Sequence, residues 1–402
     1  MSSEMEDAIR MPISRRLLAV LSAALLAGAP AACGSSDAGG PAAGDGPGTA
    51  FRDRDLLVTA VCSPGANDGW LVSVDGWDPK TWRHESTAQF PVPAGVLATE
   101  QQAGAAPKVR SGLVALCTPD PRGPLGRSTR DGEGGAAAVR LIRSLFDRNF
   151  TKMAVVIRDG GSGAAHAGYV ERGGRLTDLT ATDAGFGSTP REQRAVLSPD
   201  GADVWFTYRA DGAWKVGSRS AGGDHRLTQR SAGGVPDLPL FLVGEPVRAL
   251  VAYNVVVSPD GRRYSGWAPA DNNDDDVFAV PAGTAALTAA TPKAADNGCA
   301  GAVGWLDGNT LLCPVGLDDN LAAVAVDAPG GTPRQPILPA GNRSNTGMVI
   351  SPDGGQVVLL SAAGTEREYW ITATGPGATP QRVDRTGELS ALGARAIFVE
   401  WR

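Results

Sequence analysis

Lysine is scarce. Only five of the 37 basic side chains are Lys, and none of Lys80, Lys108, Lys152, Lys215 and Lys293 follows a Gly, so there is no phosphate-binding P-loop. Histidine is scarcer still, at His84, His166 and His225. None belongs to a His-Glu-x-x-His pair, which removes the helical zinc-protease signature. His225, beside Arg226 on an expected outer strand, reads as a solvated side chain. No Gly-x-Ser-x-Gly occurs, so there is no nucleophile elbow. Cys-x-x-Cys is absent, and the five Cys match no zinc spacing. Positive charge is outweighed: Lys+Arg 37 against Asp+Glu 43 gives −6, which makes nucleic acid a poor partner. The excess of Arg, Ala and Gly follows the composition of a GC-rich genome and carries no functional weight.

Long apolar runs are also missing. The longest, Leu17 to about Ala29, is shorter than the roughly 20 residues a spanning helix needs. It follows Arg15-Arg16 and ends in small residues, the pattern of a signal peptide over residues 1–32. Glu4, Glu6 and Asp7 have the wrong sign for export, so Met11 is the expected start. A buried helix is the alternative for this run. Ala31-Ala32-Cys33-Gly34-Ser35-Ser36 resembles a bacterial lipobox, with Pro30 where that pattern has an aliphatic residue. The resemblance implies cleavage before Cys33, lipidation of Cys33, and an anchor on the outer face of the membrane; unprocessed, the chain would be secreted. Ser14-Arg15-Arg16-Leu17-Leu18 resembles a twin-arginine export signal. Residues 33–50 are Cys33 followed by Gly, Ala, Ser, Asp, Pro and one Thr without an apolar period, and read as the lipidated Cys and a flexible linker.

Beyond Cys33 four Cys remain, and an even number in an exported chain suggests disulfides. Of three connectivities we expect Cys62–Cys117 with Cys299–Cys313; four buried thiols are the alternative.

What the chain has in abundance is one phrase. Ser198-Pro199-Asp200-Gly201, Ser258-Pro259-Asp260-Gly261 and Ser351-Pro352-Asp353-Gly354 each divide two apolar runs, and Asp307-Gly308 is a degenerate copy. Asp-Gly between strand-like runs is a strong hairpin signal. Repeats of about 40 to 50 residues with several strands each point to propeller blades. Strands of one type are expected at 56–62, 112–117, 152–157, 203–208, 263–267, 310–315 and 356–361. The fuller units add strands such as 213–218, 225–229, 276–280, 286–289, 369–372 and 381–384. Residues 118–138 read as a loop and 231–249 as an insertion between blades. The expected fold is an all-β propeller over 51–402 with seven four-stranded blades, six being the runner-up. Strands 395–401 and 56–62 would meet in one blade and close the ring. The phrase resembles the TolB-like, WD40-like propeller repeat over roughly residues 195–390. That resemblance gives Asp and Gly a role in the turn, and it argues for fold far more than for function. The Ser-x-Asp-x-Gly-x-Thr-Trp box of sialidase-like propellers is absent.

One polar cluster stands out, Asp271-Asn272-Asn273-Asp274-Asp275-Asp276. Oxygen ligands at this density suit Ca²⁺, with Asp271, Asn273, Asp275 and Asp276 as candidates. Asp276 stands where an EF-hand needs Gly and Ala282 where it needs Glu, so a solvated loop is the plainer reading. Its equivalent in the next unit is Leu317-Asp318-Asp319-Asn320. Trp70, Trp77 and Trp82 crowd the first unit and read as inter-blade core. The expected function is a non-catalytic, membrane-anchored scaffold that binds an extracytoplasmic protein or cell-wall ligand without a cofactor. The rival is a lactonase- or dehydrogenase-like enzyme with its site at the central channel.

Overall fold

Apolar residues in alternation, cut by tight turns, fold here into antiparallel meanders. The computed structural model describes residues 50–103, 111–118, 135–158, 164–179, 192–210, 213–229, 256–260, 262–267, 275–279, 293–299, 302–315, 320–327, 336–338, 341–364, 366–383 and 396–402, all in the unit Asp45–Arg402. The expected signal peptide, Cys33 and residues 34–49 of the linker lie outside them.

Strands β1 (Leu57–Pro64), β2 (Trp70–Trp77) and β3 (His84–Val92) come first. Helices α1 (Ala94–Ala103), α2 (Gly112–Cys117) and α3 (Ala136–Arg143) follow. A second sheet holds β4 (Lys152–Arg158), β5 (Ala165–Glu171) and β6 (Leu176–Asp178). The third holds β7 (Glu192–Leu197), β8 (Asp203–Ala210), β9 (Ala213–Ser220) and β10 (Leu227–Gln229). The fourth holds β11 (Val256–Val257), β12 (Arg263–Trp267), β13 (Asp275–Ala279) and β14 (Lys293–Cys299). The fifth holds β15 (Gly304–Trp305), β16 (Thr310–Val315) and β17 (Asn320–Ala325). The sixth holds β18 (Ser344–Ile350), β19 (Gln356–Ala363), β20 (Glu366–Ala373) and β21 (Gln381–Arg382). The last strand, β22 (Ile397–Trp401), adds to the first sheet in the order β22-β1-β2-β3. Leu57 pairs with Trp401 and Ala60 with Ile397, and Leu56 and Arg402 exchange backbone hydrogen bonds of 2.9 and 3.0 Å.

Strands of different sheets meet. Strand β3 meets β5, β4 and β5 meet β7, β11 meets β15, β17 meets β18, and β18 meets β22. The cause is visible in β3, where Ser86, Ala88, Phe90 and Val92 are buried while Thr87, Gln89 and Pro91 are exposed, the period of two of a half-buried strand. Single bridges, Phe146 to Met153 and Pro336 to Ala322, extend the second and fifth sheets by a fourth partner. Among the described residues no helix is long and apolar enough to cross a membrane.

One expected strand is a helix. Residues 112–117 form α2, because a short apolar run without a period leaves helix and strand undecided. The decision is made locally and by packing. Ser111 caps the helix, its Oγ accepting the Val114 N–H at 3.2 Å, and Gly112, Leu113, Val114, Leu116 and Cys117 are all buried. A seventh sheet built on this run is therefore lost. The expected loop 118–138 ends in the first turn of α3, with 119–134 outside the described residues. Residues 286–289 also lie outside, and the last strand of the fourth sheet is β14.

Candidate functional site

The repeated phrase forms a self-contained clamp. Ser198 Oγ donates to Asp200 Oδ1 at 2.6 Å and accepts the Asp203 N–H at 2.9 Å; the Ala202 N–H reaches the same Asp200 oxygen at 3.0 Å. The same bonds recur around Ser258–Asp260 and Ser351–Asp353. Asp307 accepts the Asn309 N–H at 2.7 Å and has no serine partner in its own turn, since Trp305 stands where the other turns have Ser. Gly201 and Gly354 have φ of 68° and 72°, which is why Gly follows Asp; Gly261 lies outside the described residues. Hydrogen bonds from Ser198, Ser258 and Ser351 hold the carboxyls of Asp200, Asp260 and Asp353 below the usual range. Each Asp is exposed, yet one of its oxygens is committed to its own turn.

These turns touch one another from sheet to sheet. Arg402 Nη1 donates to the Arg148 carbonyl at 2.8 Å, and the Arg148 N–H to the Pro199 carbonyl at 2.7 Å. Lys152 Nζ reaches the Gly201 carbonyl at 3.0 Å. Gly308 faces Asp260, and Gly354 lies against the backbone of Leu306. The second sheet has a different turn: Asp147 takes the N–H and Oγ1–H of Thr151, both at 2.6 Å, and Arg172 donates to the carbonyls of Asn149 and Phe150. Turns of neighbouring sheets are thus linked in groups, with the Asp200, Asp260 and Asp353 carboxylates exposed.

Helix α3 lies among the first strands of the sheets. It packs on β18 and β22. Arg140 Nη1 donates to the carbonyls of Ala302 and Val303, just before β15, at 3.4 and 3.0 Å. The carbonyl of Ser144 takes the Leu197 N–H of β7 at 3.0 Å. Arg143 Nε donates to Glu400 Oε2 of β22 at 2.7 Å. Ala136, Ala138, Val139, Leu141 and Ile142 are buried, as expected of a helix covered on most sides. Helix α2 closes on it through Gly112, where a Cβ would stand 2.6 Å from the Leu141 carbonyl oxygen. A Cys62–Cys117 disulfide, Cα to Cα 5.1 Å, ties α2 to β1. Cys299 and Cys313 are joined in the same way, with Cα atoms 5.5 Å apart.

Other expected residues are dispersed. Asp275 and Asp276 open strand β13, paired with Trp267 and Gly266, so the acidic cluster is not wholly a loop: the hairpin ladder reaches into it. Asp271, Asn273 and the acidic residues 318–319 lie outside the described residues. Among the described residues no group of three His, Cys, Asp or Glu is placed to hold a metal ion. Trp77 is buried, its Nε1 donating to Thr59 Oγ1 at 2.9 Å, and Trp70 and Trp82 pack on the same core. His225 precedes β10, its Nδ1 lying 2.9 Å from the Ser220 carbonyl oxygen. Two pairs gave no sequence signal. His84 Nε2 lies 3.1 Å from Asp75 Oδ1 across a hairpin, and Glu192 meets Arg219 in full burial. Both form only once strands pair.

No family profile and no curated protein matches the chain. Solved structures do. TolB from Acinetobacter baumannii is 15% identical over 83% of this chain and 81% of its own, with a TM-score of 0.33. An oligogalacturonate lyase in complex with manganese is 16% identical over 57% of this chain and 61% of its own, TM-score 0.33. Prolyl oligopeptidase B from Galerina marginata is 9% identical over 84% of this chain and 45% of its own, TM-score 0.35. Likeness at this level carries no argument about a site. The fold stands on the sheets themselves: a mostly β chain of three- and four-stranded antiparallel sheets, consistent with a β-propeller-like fold.

Proposed function

We propose that this chain is an exported scaffold, anchored to the outer face of the membrane by a lipid on Cys33, whose propeller binds an extracytoplasmic protein or cell-wall ligand and does no chemistry. Its ring has six blades, one per sheet, closed where β22 joins β1. Support for six comes from the loss of the seventh unit to α2, and from the contact of β18 with β22. The observation that carries the functional reading is α3. A channel-site enzyme needs space between the innermost strands, lined by convergent carboxylates, His or metal ligands. In support of a closed centre, α3 packs on β18 and β22, its Arg140 bonds to the carbonyls just before β15, and the Ser144 carbonyl at its end takes the Leu197 N–H of β7. Recognition then falls to the turns, where sequence can vary without cost to the core. An anchor and linker raise the effective concentration of such a surface toward other membrane-held proteins.

Crosslinking in cells tests this. A reproducible extracytoplasmic partner should be captured, and lost when an exposed turn such as Ala66-Asn67-Asp68 is replaced. Fatty-acid labelling should mark the wild type and not Cys33→Ala. If no partner is captured and the purified domain turns over a lactone, sugar or ester, the channel-site enzyme takes its place.

A further inference from the structure

Asp followed by Gly carries a chemical liability. The Gly amide nitrogen can attack the preceding carboxyl, because no side chain stands in its way. Five such pairs have both residues described: Asp68-Gly69, Asp75-Gly76, Asp200-Gly201, Asp307-Gly308 and Asp353-Gly354. In four of them the carboxyl is held. Asp200 Oδ1 takes the Ser198 hydroxyl at 2.6 Å and the Ala202 N–H at 3.0 Å; Asp353 Oδ1 takes the Ser351 hydroxyl at 2.5 Å and the Gly355 N–H at 2.9 Å. Asp307 accepts the Asn309 N–H at 2.7 Å. Asp75 lies inside β2, paired with Thr59 on one side and Thr87 on the other, its Oδ1 3.1 Å from His84 Nε2. Asp68 differs. It is exposed at the tip of the β1–β2 hairpin, and among the described residues no hydrogen bond or ion pair reaches its carboxyl. Its successor has to be Gly: a Cβ on Gly69 would stand 2.7 Å from the Val92 carbonyl oxygen and 3.0 Å from that of Ala66. The amides of the turns are alike. The Gly69 N–H bonds to the Ala66 carbonyl at 3.0 Å, and those of Gly201 and Gly354 bond to the Ser198 and Ser351 carbonyls at 2.8 Å. The difference lies in the carboxyls.

We propose that Asp68-Gly69 is a modification site at which the folded chain forms isoaspartate, while the Ser-Pro-Asp-Gly clamps protect the repeat turns from the same reaction. The Gly69 nitrogen forms a bond to Asp68 Cγ. The amide proton and the carboxyl hydroxyl leave together as water, and a succinimide ring closes. Water then opens the ring at the main-chain carbonyl of Asp68, which becomes a free carboxylate, and the chain continues through Cγ. The water lost is regained, so mass and charge are unchanged. The main chain is one atom longer between Pro64 and Trp70, the pair that ends the β1–β2 ladder. Asn67 and Asp68 both hold left-handed backbone, φ 54° and 58°, which lowers the cost of the opening that frees the Gly69 amide. The clamps act the other way. Ring closure needs a neutral carboxyl turned onto the next amide. The Ser198 and Ser351 hydroxyls hold the Asp200 and Asp353 carboxyls below the usual range, which depletes the neutral form, and tie one oxygen to its own turn.

The full chain is aged in mildly acidic buffer, folded and in guanidinium, and each pair is read by peptide mapping with electron-transfer fragmentation, which separates isoaspartate from Asp. In the folded chain isoaspartate should appear first at Asp68, and at least several-fold faster than at Asp200 and Asp353. In the unfolded chain the three rates should converge, because the clamps are gone. Ser198→Ala should raise the rate at Asp200 and leave Asp68 unchanged. The proposal is overturned if any other of the five pairs leads in the folded chain, or if Asp68 stays unmodified there while the unfolded chain reacts. It is also overturned if Asp68 keeps the same lead after unfolding, which would assign the effect to local sequence, or if Ser198→Ala leaves Asp200 as slow as before. Should Ser198→Ala not fold, the folded and unfolded wild type decide alone.

Discussion

Gly354→Ala should destabilise the fold well beyond Gly377→Ala, although both glycines hold nearly the same backbone, φ 72° and 74°. An L side chain in the left-handed region costs about 1–2 kcal/mol by itself. At Gly377 nothing lies within 4 Å of the added Cβ, so that strain is the whole effect. At Gly354 the Cβ meets the backbone of Leu306: its Cα at 3.0 Å, its carbonyl carbon at 2.7 Å, and its carbonyl oxygen closer still. Backbone atoms cannot swing aside. Gly354 cannot retreat freely either, because its N–H bonds to the Ser351 carbonyl at 2.8 Å and its carbonyl accepts Thr374 Oγ1 at 2.7 Å. The turns of the fifth and sixth sheets must separate, at an overpacking cost of about 1–3 kcal/mol more. The total for Gly354→Ala is about 2–5 kcal/mol, against about 1–2 for Gly377→Ala. Urea unfolding checks this through the midpoint, with the slope m unchanged. Equal losses in the two variants would refute the reasoning, since they would show that the turn-to-turn contact constrains nothing.

Removing the Cys62–Cys117 disulfide, which spans 55 residues, should cost about 4 kcal/mol, and removing Cys299–Cys313, which spans 14, about 3; guanidinium unfolding of the two double Ser variants should show that order, and no loss on removing the first would count against α2 being stapled. Phe51→Ala should cost about 3–5 kcal/mol, because Phe51 is fully buried with its ring 4.8 Å from Phe150. A loss under about 1 kcal/mol would mean that the residues entering the first sheet are not held there. Glu192→Ala should cost about 3–5 kcal/mol by stranding the buried Arg219 charge, whereas Glu192→Met combined with Arg219→Leu should come close to the wild type. Thermal or urea unfolding of both separates a stranded charge from lost packing.

The legibility of this chain follows the range of its interactions. The Ser-Pro-Asp-Gly turns could be read from the sequence because every bond of the clamp closes within six residues, Ser198 to Asp203. The unmatched apolar runs at the two ends were legible as strands in need of a partner, and β22 lies beside β1. Helix α2 was not legible, since six apolar residues carry no period and the deciding contacts come from Ser111, α3 and β1. The four cysteines set a parity, and the expected pairing, Cys62–Cys117 with Cys299–Cys313, is the one present, but its cause was not legible: Cys62 and Cys117 meet because α2 leans on β1. Glu192 and Arg219 are 27 positions apart with nothing between them to mark a pair, and only the packing of two sheets brings them together.

Helix α3 is better understood as a structural plug than as a lid. A first strand in each sheet leaves backbone groups on its inner edge, and unpaired buried groups are costly. The insert satisfies several such groups. Arg140 reaches the carbonyls of Ala302 and Val303, Arg143 those of Phe146 and Asp147, and the Ser144 carbonyl takes the Leu197 N–H. Ile142 and Leu145 share one apolar core with Phe398, Val349 and Leu360 from the first and sixth sheets. Lifting α3 out would expose that core and strand those groups together, so its displacement would amount to unfolding the centre of the domain. A ligand that displaced α3 would have to supply all of this in exchange. Under the proposed binding role, a partner that reads the exposed turns need displace nothing, so the turns are where its contacts should be sought.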